Sequence, residues 1–194
     1  MLESFLRFLE LGFYHILNFD SYDHILFVII ISVSFIFKDW KRLLILISIF
    51  SLGHTLSLLL GLYNVLNLNV NITEWLIPLT IFFMALYNIF TAGKFSRRPY
   101  FSYVVVLFFG LIHGLGFANA FEQLVGSNES TLLSVIEFAI GIELGQCIVV
   151  LFVLVLSFIS QSIFRFSNRD WVLVMSSIIL GFILPLIFMG PLFS

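Results

Sequence analysis

Residues 131–163 read TLLSVIEFAIGIELGQCIVVLFVLVLSFISQSI, an apolar run of 33 residues with two carboxylates and no basic residue. A hydrocarbon core of ~30 Å is crossed by ~20 helical residues, so this run is long enough to tilt or protrude. It does not alternate apolar with polar, as the strands of a membrane barrel do. With no water in the bilayer core, a helix is the form that satisfies each backbone group. Working outward, five further apolar runs lie at about 22–37, 43–61, 75–92, 101–119 and 171–190, the first of them short. The expected fold is all-α: a polytopic membrane bundle of six transmembrane helices.

Composition agrees. Hydrophobic residues are 61% of the 194, against ~45–50% in soluble domains. Charged residues are 10%, against a usual ~25%. A water-soluble domain of this size cannot hide that much apolar surface, which excludes a soluble enzyme, a nucleic-acid binder and a disordered chain. The length predicts one integral membrane domain, 1–194. The lone cysteine, Cys147, precludes a disulfide within the chain.

Charge placement gives the orientation. Lys38, Lys41 and Arg42 separate the first two runs. Lys94, Arg97 and Arg98 separate the third and fourth, and Arg165 and Arg169 the fifth and sixth. Only Arg7 lies on the other side. By the positive-inside rule these loops are cytoplasmic, both termini face outward, and the protein is expected in a bacterial inner membrane. The outer loops, 62–74 and 120–130, hold Glu74, Glu122 and Glu129 and no Lys or Arg.

Residues 1–19 do not read as a cleavable signal, because Glu3 and Glu10 interrupt the apolar run. Glu3, Arg7, Glu10 and Tyr14 step by 4, 3 and 4 into one polar stripe, with Leu2, Phe5, Leu6, Leu9 and Phe13 on the remaining surface. The expectation is an interfacial or partly inserted helix.

Ionisable groups inside a span are functional-site hypotheses by default. Asp23 and His24 open the first span. His54 lies ~10 Å below the outer end of the second and His113 ~9 Å below that of the fourth. Glu137 and Glu143 lie ~9 Å and ~18 Å along the fifth. With His15 near the same surface, all four histidines fall in the outer half of the bilayer. Imidazoles with carboxylates suit Zn, Ni, Co and Fe, and no thiolate cluster is offered to soft ions. His24, His54 and His113 are the expected ligands, with Asp23 or Glu143 as ligand or orienter. The plain alternative is that each histidine bonds to a neighbouring helix backbone. Glu143 and Gln146 are i, i+3 and share a face, whereas Glu137 is ~120° away around the axis. Gly110/Gly114 and Gly141/Gly145 have the small-xxx-small spacing that lets helices approach.

SYDHILF at 21–27, GHTLSL at 53–58, FGLIHGLGFA at 109–118 and GIELGQ at 141–146 resemble the motifs of the HupE/UreJ family of bacterial membrane proteins, over roughly residues 12–160. The resemblance implies nickel or cobalt permeases associated with hydrogenases and ureases. It maps the family's motif positions onto Asp23, His24, His54, His113, Glu143 and Gln146, and onto His15. Thr55 replaces the family's Ser after His54, keeping a hydroxyl. Ala139 stands where the family has Asn, so the face with Glu143 and Gln146 lacks one polar group.

Three functions compete. The first is a secondary permease for a divalent transition metal, with membrane lipid and the ion as partners. The second is an intramembrane metallohydrolase of zinc type acting on a lipid or lipoprotein, with Asp23 or Glu143 as general base. The third is a metal sensor or structural subunit. A permease needs a polar route past the site, and a hydrolase needs a lateral opening to lipid.

Overall fold

The computed structural model describes residues 2–18, 22–66, 69–92, 99–125 and 130–190, and their regular structure is entirely helical. The helices are α1 (Leu2–Leu17), α2 (Asp23–Ser32), α3 (Trp40–Leu62), α4 (Val70–Thr91), α5 (Pro99–Leu124), α6 (Thr131–Ser162) and α7 (Asn168–Phe188). A single turn, Phe37–Asp39, leads into α3. Five helices, α3 to α7, are long and apolar enough to cross a membrane. The predicted basic loop with Lys94, Arg97 and Arg98 lies outside the described residues, as does Glu129.

Polar caps set several boundaries beyond the apolar windows. Asn69 accepts the amide of Asn71, Ser130 that of Leu133, and Ser167 that of Asp170. Each satisfies an amide that the first helical turn leaves unpaired. Hence α4 and α7 begin a few residues before their apolar runs.

The first run departs most from expectation. Its helix stops at Ser32, ten residues or ~15 Å from its start. Asn88 of α4 donates its amide to the Ile30 carbonyl and accepts from the Ser34 hydroxyl. The end of α2 is thereby bonded sideways to α4 instead of being propagated.

The helices pack as three close pairs, α3 with α5, α1 with α6 and α4 with α7, with α2 set among α4, α6 and α7. The α3/α5 pair is parallel and glycine-lined. A Cβ on Gly53 would meet the Leu107 carbonyl, and one on Gly110 the Phe50 carbonyl. One on Gly114 would meet the His54 carbonyl and the Ser57 hydroxyl. In lipid, where apolar burial drives little helix association, this backbone-level packing is a main source of cohesion.

The α1/α6 pair is built in the same way. Gly12 seats on Phe138 and Ile142, Gly141 on Leu9 and Phe13, and Gly145 on Phe13 and Ile16. Thus α1 runs alongside α6 in the same direction instead of lying across its end. Arg7 donates to the Leu124 carbonyl at the end of α5, and Trp75 of α4 donates to Ile187 near the end of α7. The start of α1 and the end of α7 therefore lie at one end of the bundle. Lys38, Lys41, Arg42, Arg165 and Arg169 lie at the other, where Phe37 packs on Phe158. Along the bundle, α1 and α2 follow in succession: Phe8 contacts Phe121, Ile16 lies against Gly145, Phe27 packs on Phe50 and Ser34 bonds to Asn88.

Candidate metal site

Four helices bring four histidines into one group. His15 comes from α1, His24 from the first turn of α2, His54 from α3 and His113 from α5. Ring centroids of His15 and His24 are 4.4 Å apart, His24 and His113 5.4 Å, His15 and His54 5.7 Å, and His24 and His54 5.9 Å. One nitrogen from each of His15, His24 and His54 lies within 4.8 Å of the others. Metal–nitrogen bonds of ~2.0–2.1 Å need ligand atoms ~3–4 Å apart, so about 1 Å of side-chain contraction would close the set on an ion. His113 stands beside this trio, nearest to His24.

His24, His54 and His113 are buried. The Nε2 atoms of all four histidines, and Nδ1 of His54, are enclosed without a hydrogen-bond partner among the described residues. An unsatisfied buried polar group costs roughly 1–3 kcal/mol, so five in one place call for a ligand. Two of the rings are already set in the tautomer that a metal requires. Asp23 accepts from His24 Nδ1 at 3.1 Å and from the His24 amide at 2.9 Å. His113 Nδ1 donates to the Phe109 carbonyl at 2.8 Å. With the proton held on Nδ1, the Nε2 lone pair is left for a cation. For His113 the plain alternative, a bond to backbone, is therefore also present, but it occupies one nitrogen only.

The carboxylates divide. Asp23 adjoins the imidazoles and orients His24. Glu143 accepts from Ser48 at 2.5 Å, and Gln146 accepts from Ser51 at 2.8 Å, two rungs joining α6 to α3 on the basic side of His54. Neither belongs to the histidine trio. The Gln146 amide nitrogen is buried and without a partner among the described residues. Glu137 is buried on α6 and is not among the trio's ligands. Ala139 leaves its place on the α6 stripe apolar.

A cleft of about 810 Å³ leads from the end of the bundle opposite the basic loops to the imidazoles. His15, Asp23, His24 and His113 line it, with Glu74 and exposed Tyr14 among its other walls, and among the described residues no Lys or Arg lines it. Aromatic rings close the group on two sides. Phe117 and Phe138, stacked at 5.3 Å, pack on His15 at 4.2 and 5.4 Å. On the basic side Phe27 and Phe50 lie 4.8 and 5.1 Å from His113. Sequence reasoning missed this lower layer. Its signal was present: Phe27, Phe50 and Phe109 stand at i+3, i−4 and i−4 from His24, His54 and His113.

Compared with known proteins, residues 1–189 match the family model described as HupE / UreJ protein. No curated protein and no solved structure matches. The match spans nearly the whole chain, so the protein belongs to the HupE/UreJ family, a multi-pass membrane family of metal transporters.

Proposed function

We propose that this HupE/UreJ protein is a secondary permease for a divalent transition-metal ion of nickel or cobalt type. The observation that carries the reading is the group of four imidazoles, three of them buried, whose enclosed Nε2 atoms lack partners among the described residues at the floor of the cleft. His15, His24, His54 and His113 are the ligand candidates, and Asp23 fixes His24. Glu143 and Gln146 take the next position toward the basic end, as a handover point for the ion.

The membrane path follows. Helices α3 to α7 make five crossings, and α1 and α2 in succession make the sixth as a broken helix. Broken helices at mid-membrane are a recurrent way to expose a substrate site in transporters. The basic loops then face the cytoplasm and both termini face outward, in a bacterial inner membrane.

A metallohydrolase is less well served by the same geometry. Its general base would have to be Asp23 or Glu143, and these are held by His24 and Ser48. The deciding experiment is uptake into vesicles that contain a metal-responsive dye. Ni²⁺ or Co²⁺ entry that depends on His54 is expected. Wild-type protein that binds the ion but moves none of Ni, Co, Zn, Fe or Mn under an imposed proton or sodium gradient would defeat the permease reading.

A further inference from the structure

Beyond the imidazoles, toward the basic end, lies a second cavity of about 170 Å³ lined by Ile31, Ser34, Arg42, Asn88, Tyr103 and Asn168 among others. A neighbouring groove of about 150 Å³ shares Met84, Tyr87 and Ser102 with it and reaches Phe109. The cleft and this lower cavity share no lining residue. On α2 the step from His24 in the cleft to Ile31 in the lower cavity is ~10 Å, and on α5 the step from His113 to Phe109 is ~6 Å. What fills the interval is aromatic. Phe27 lies 4.5 Å from Phe50, 6.0 Å from Phe109 and 4.8 Å from His113, ring centre to ring centre. Phe27 and Phe50 are fully buried.

We infer that Phe27 is the plug between the two cavities and the residue that must withdraw for an ion to leave the imidazoles toward the basic end. This rests on reading the imidazole group as an ion site. The three rings of the layer are not equally free to move. Phe50 and Phe109 stand on α3 and α5, which are locked backbone to backbone through Gly53, Gly110 and Gly114. Close-packed interfaces of that kind switch between discrete states and do not yield gradually. Phe27 stands on α2, ten residues long, with non-helical residues on both flanks at Tyr22 and 33–36. Among the described residues its polar bonds to another helix are at one end, where Asn88 holds Ile30 and Ser34. A tilt of α2 about that end withdraws Phe27 from the layer and breaks no long helix. Because His24 and Phe27 share a face at i, i+3, the same tilt shifts one ligand together with the plug. Release of the ion and opening of the path become a single movement.

The test uses the full chain in vesicles with the cleft facing outward. Cys147 is replaced by Ser, and one cysteine is placed in the lower cavity as Met84→Cys. A charged, membrane-impermeant methanethiosulfonate is added outside. With Phe27 present, Met84→Cys should react slowly from the cleft side and readily in vesicles of opposite orientation. Phe27→Ala should speed the cleft-side reaction at least about tenfold, as removal of a gate does. Phe50→Ala removes the ring packed on Phe27 and should do the same, which covers the case in which one variant folds poorly. Phe27→Leu, which keeps most of the volume, should stay closed. If both alanine variants fold, bind Ni²⁺ as the parent does and still react at the parent rate from the cleft side, the plug is not Phe27. If the parent itself fails to bind Ni²⁺ at the imidazoles, the permease reading falls instead, so the two failures are distinct.

Discussion

Asp23→Asn isolates the carboxylate that, among the described residues, bonds to the histidine group. Asp23 makes two bonds, to the Nδ1–H and to the main-chain N–H of His24. If the new amide keeps its oxygen in place, both bonds survive but lose their charge. A hydrogen bond to a charged group contributes ~1.5–3 kcal/mol and a neutral one ~0.5–1.5, a difference of about 1 kcal/mol. If the amide turns over, its NH2 faces Nδ1, the ring proton must move to Nε2, and the ligand lone pair is lost. Outer partners of metal-binding histidines typically change affinity 10–100-fold. The expected loss is therefore about 1–3 kcal/mol, or roughly 5- to 150-fold in Kd. Competition of purified protein against a Ni²⁺-binding dye at constant pH measures it, with His24→Ala as the more severe reference. An unchanged Kd would refute the orienting role. A loss as complete as that of His24→Ala would make Asp23 a ligand in its own right.

Affinity should also depend on pH with a definite sign. Imidazoles bind metal only when neutral, so affinity should weaken as pH falls, with more than one proton competing per ion. Affinity that rises as protons are added would rule out histidine ligands. Gly114→Ala should destabilise the protein by about 1–3 kcal/mol, because its Cβ meets the His54 carbonyl across a locked interface. Gly181→Ala faces open space on α7 and should gain up to about 1 kcal/mol of helix propensity; thermal unfolding in detergent separates the two. Glu143→Gln retains an acceptor for Ser48 and lies outside the histidine trio. It should leave Ni²⁺ binding nearly intact while lowering uptake into vesicles, and equal loss of both would place Glu143 at the ion itself.

The long helices were legible because lipid imposes a simple requirement, an apolar run of sufficient length, and α3 to α7 meet it. Their ends were less so, since Asn69 and Ser167 start helices outside the apolar windows. The end of α2 was not legible at all. Residues 33–37 remain apolar enough to continue a helix, and what diverts them is Asn88, more than fifty positions away. The placement of α1 was half-written: Gly141 and Gly145 announced a close helix contact, but nothing local said that Gly12 supplies the partner. For the same reason His15 looked peripheral to a helix expected at the interface, yet it completes the trio with His24 and His54. Glu143 shows the reverse. Helical phase turned it toward the interior, and only the tertiary packing shows that it faces Ser48 of α3 one to two turns from the imidazoles.

The most direct measurement is X-ray absorption on purified protein loaded with one equivalent of Ni²⁺ or Co²⁺. A first shell containing three or four imidazole nitrogens is expected, with the outer-ring scattering typical of histidine, and it should lose one such contribution in His54→Ala. A shell of oxygens alone, unchanged by that substitution, would contradict an ion held among His15, His24, His54 and His113.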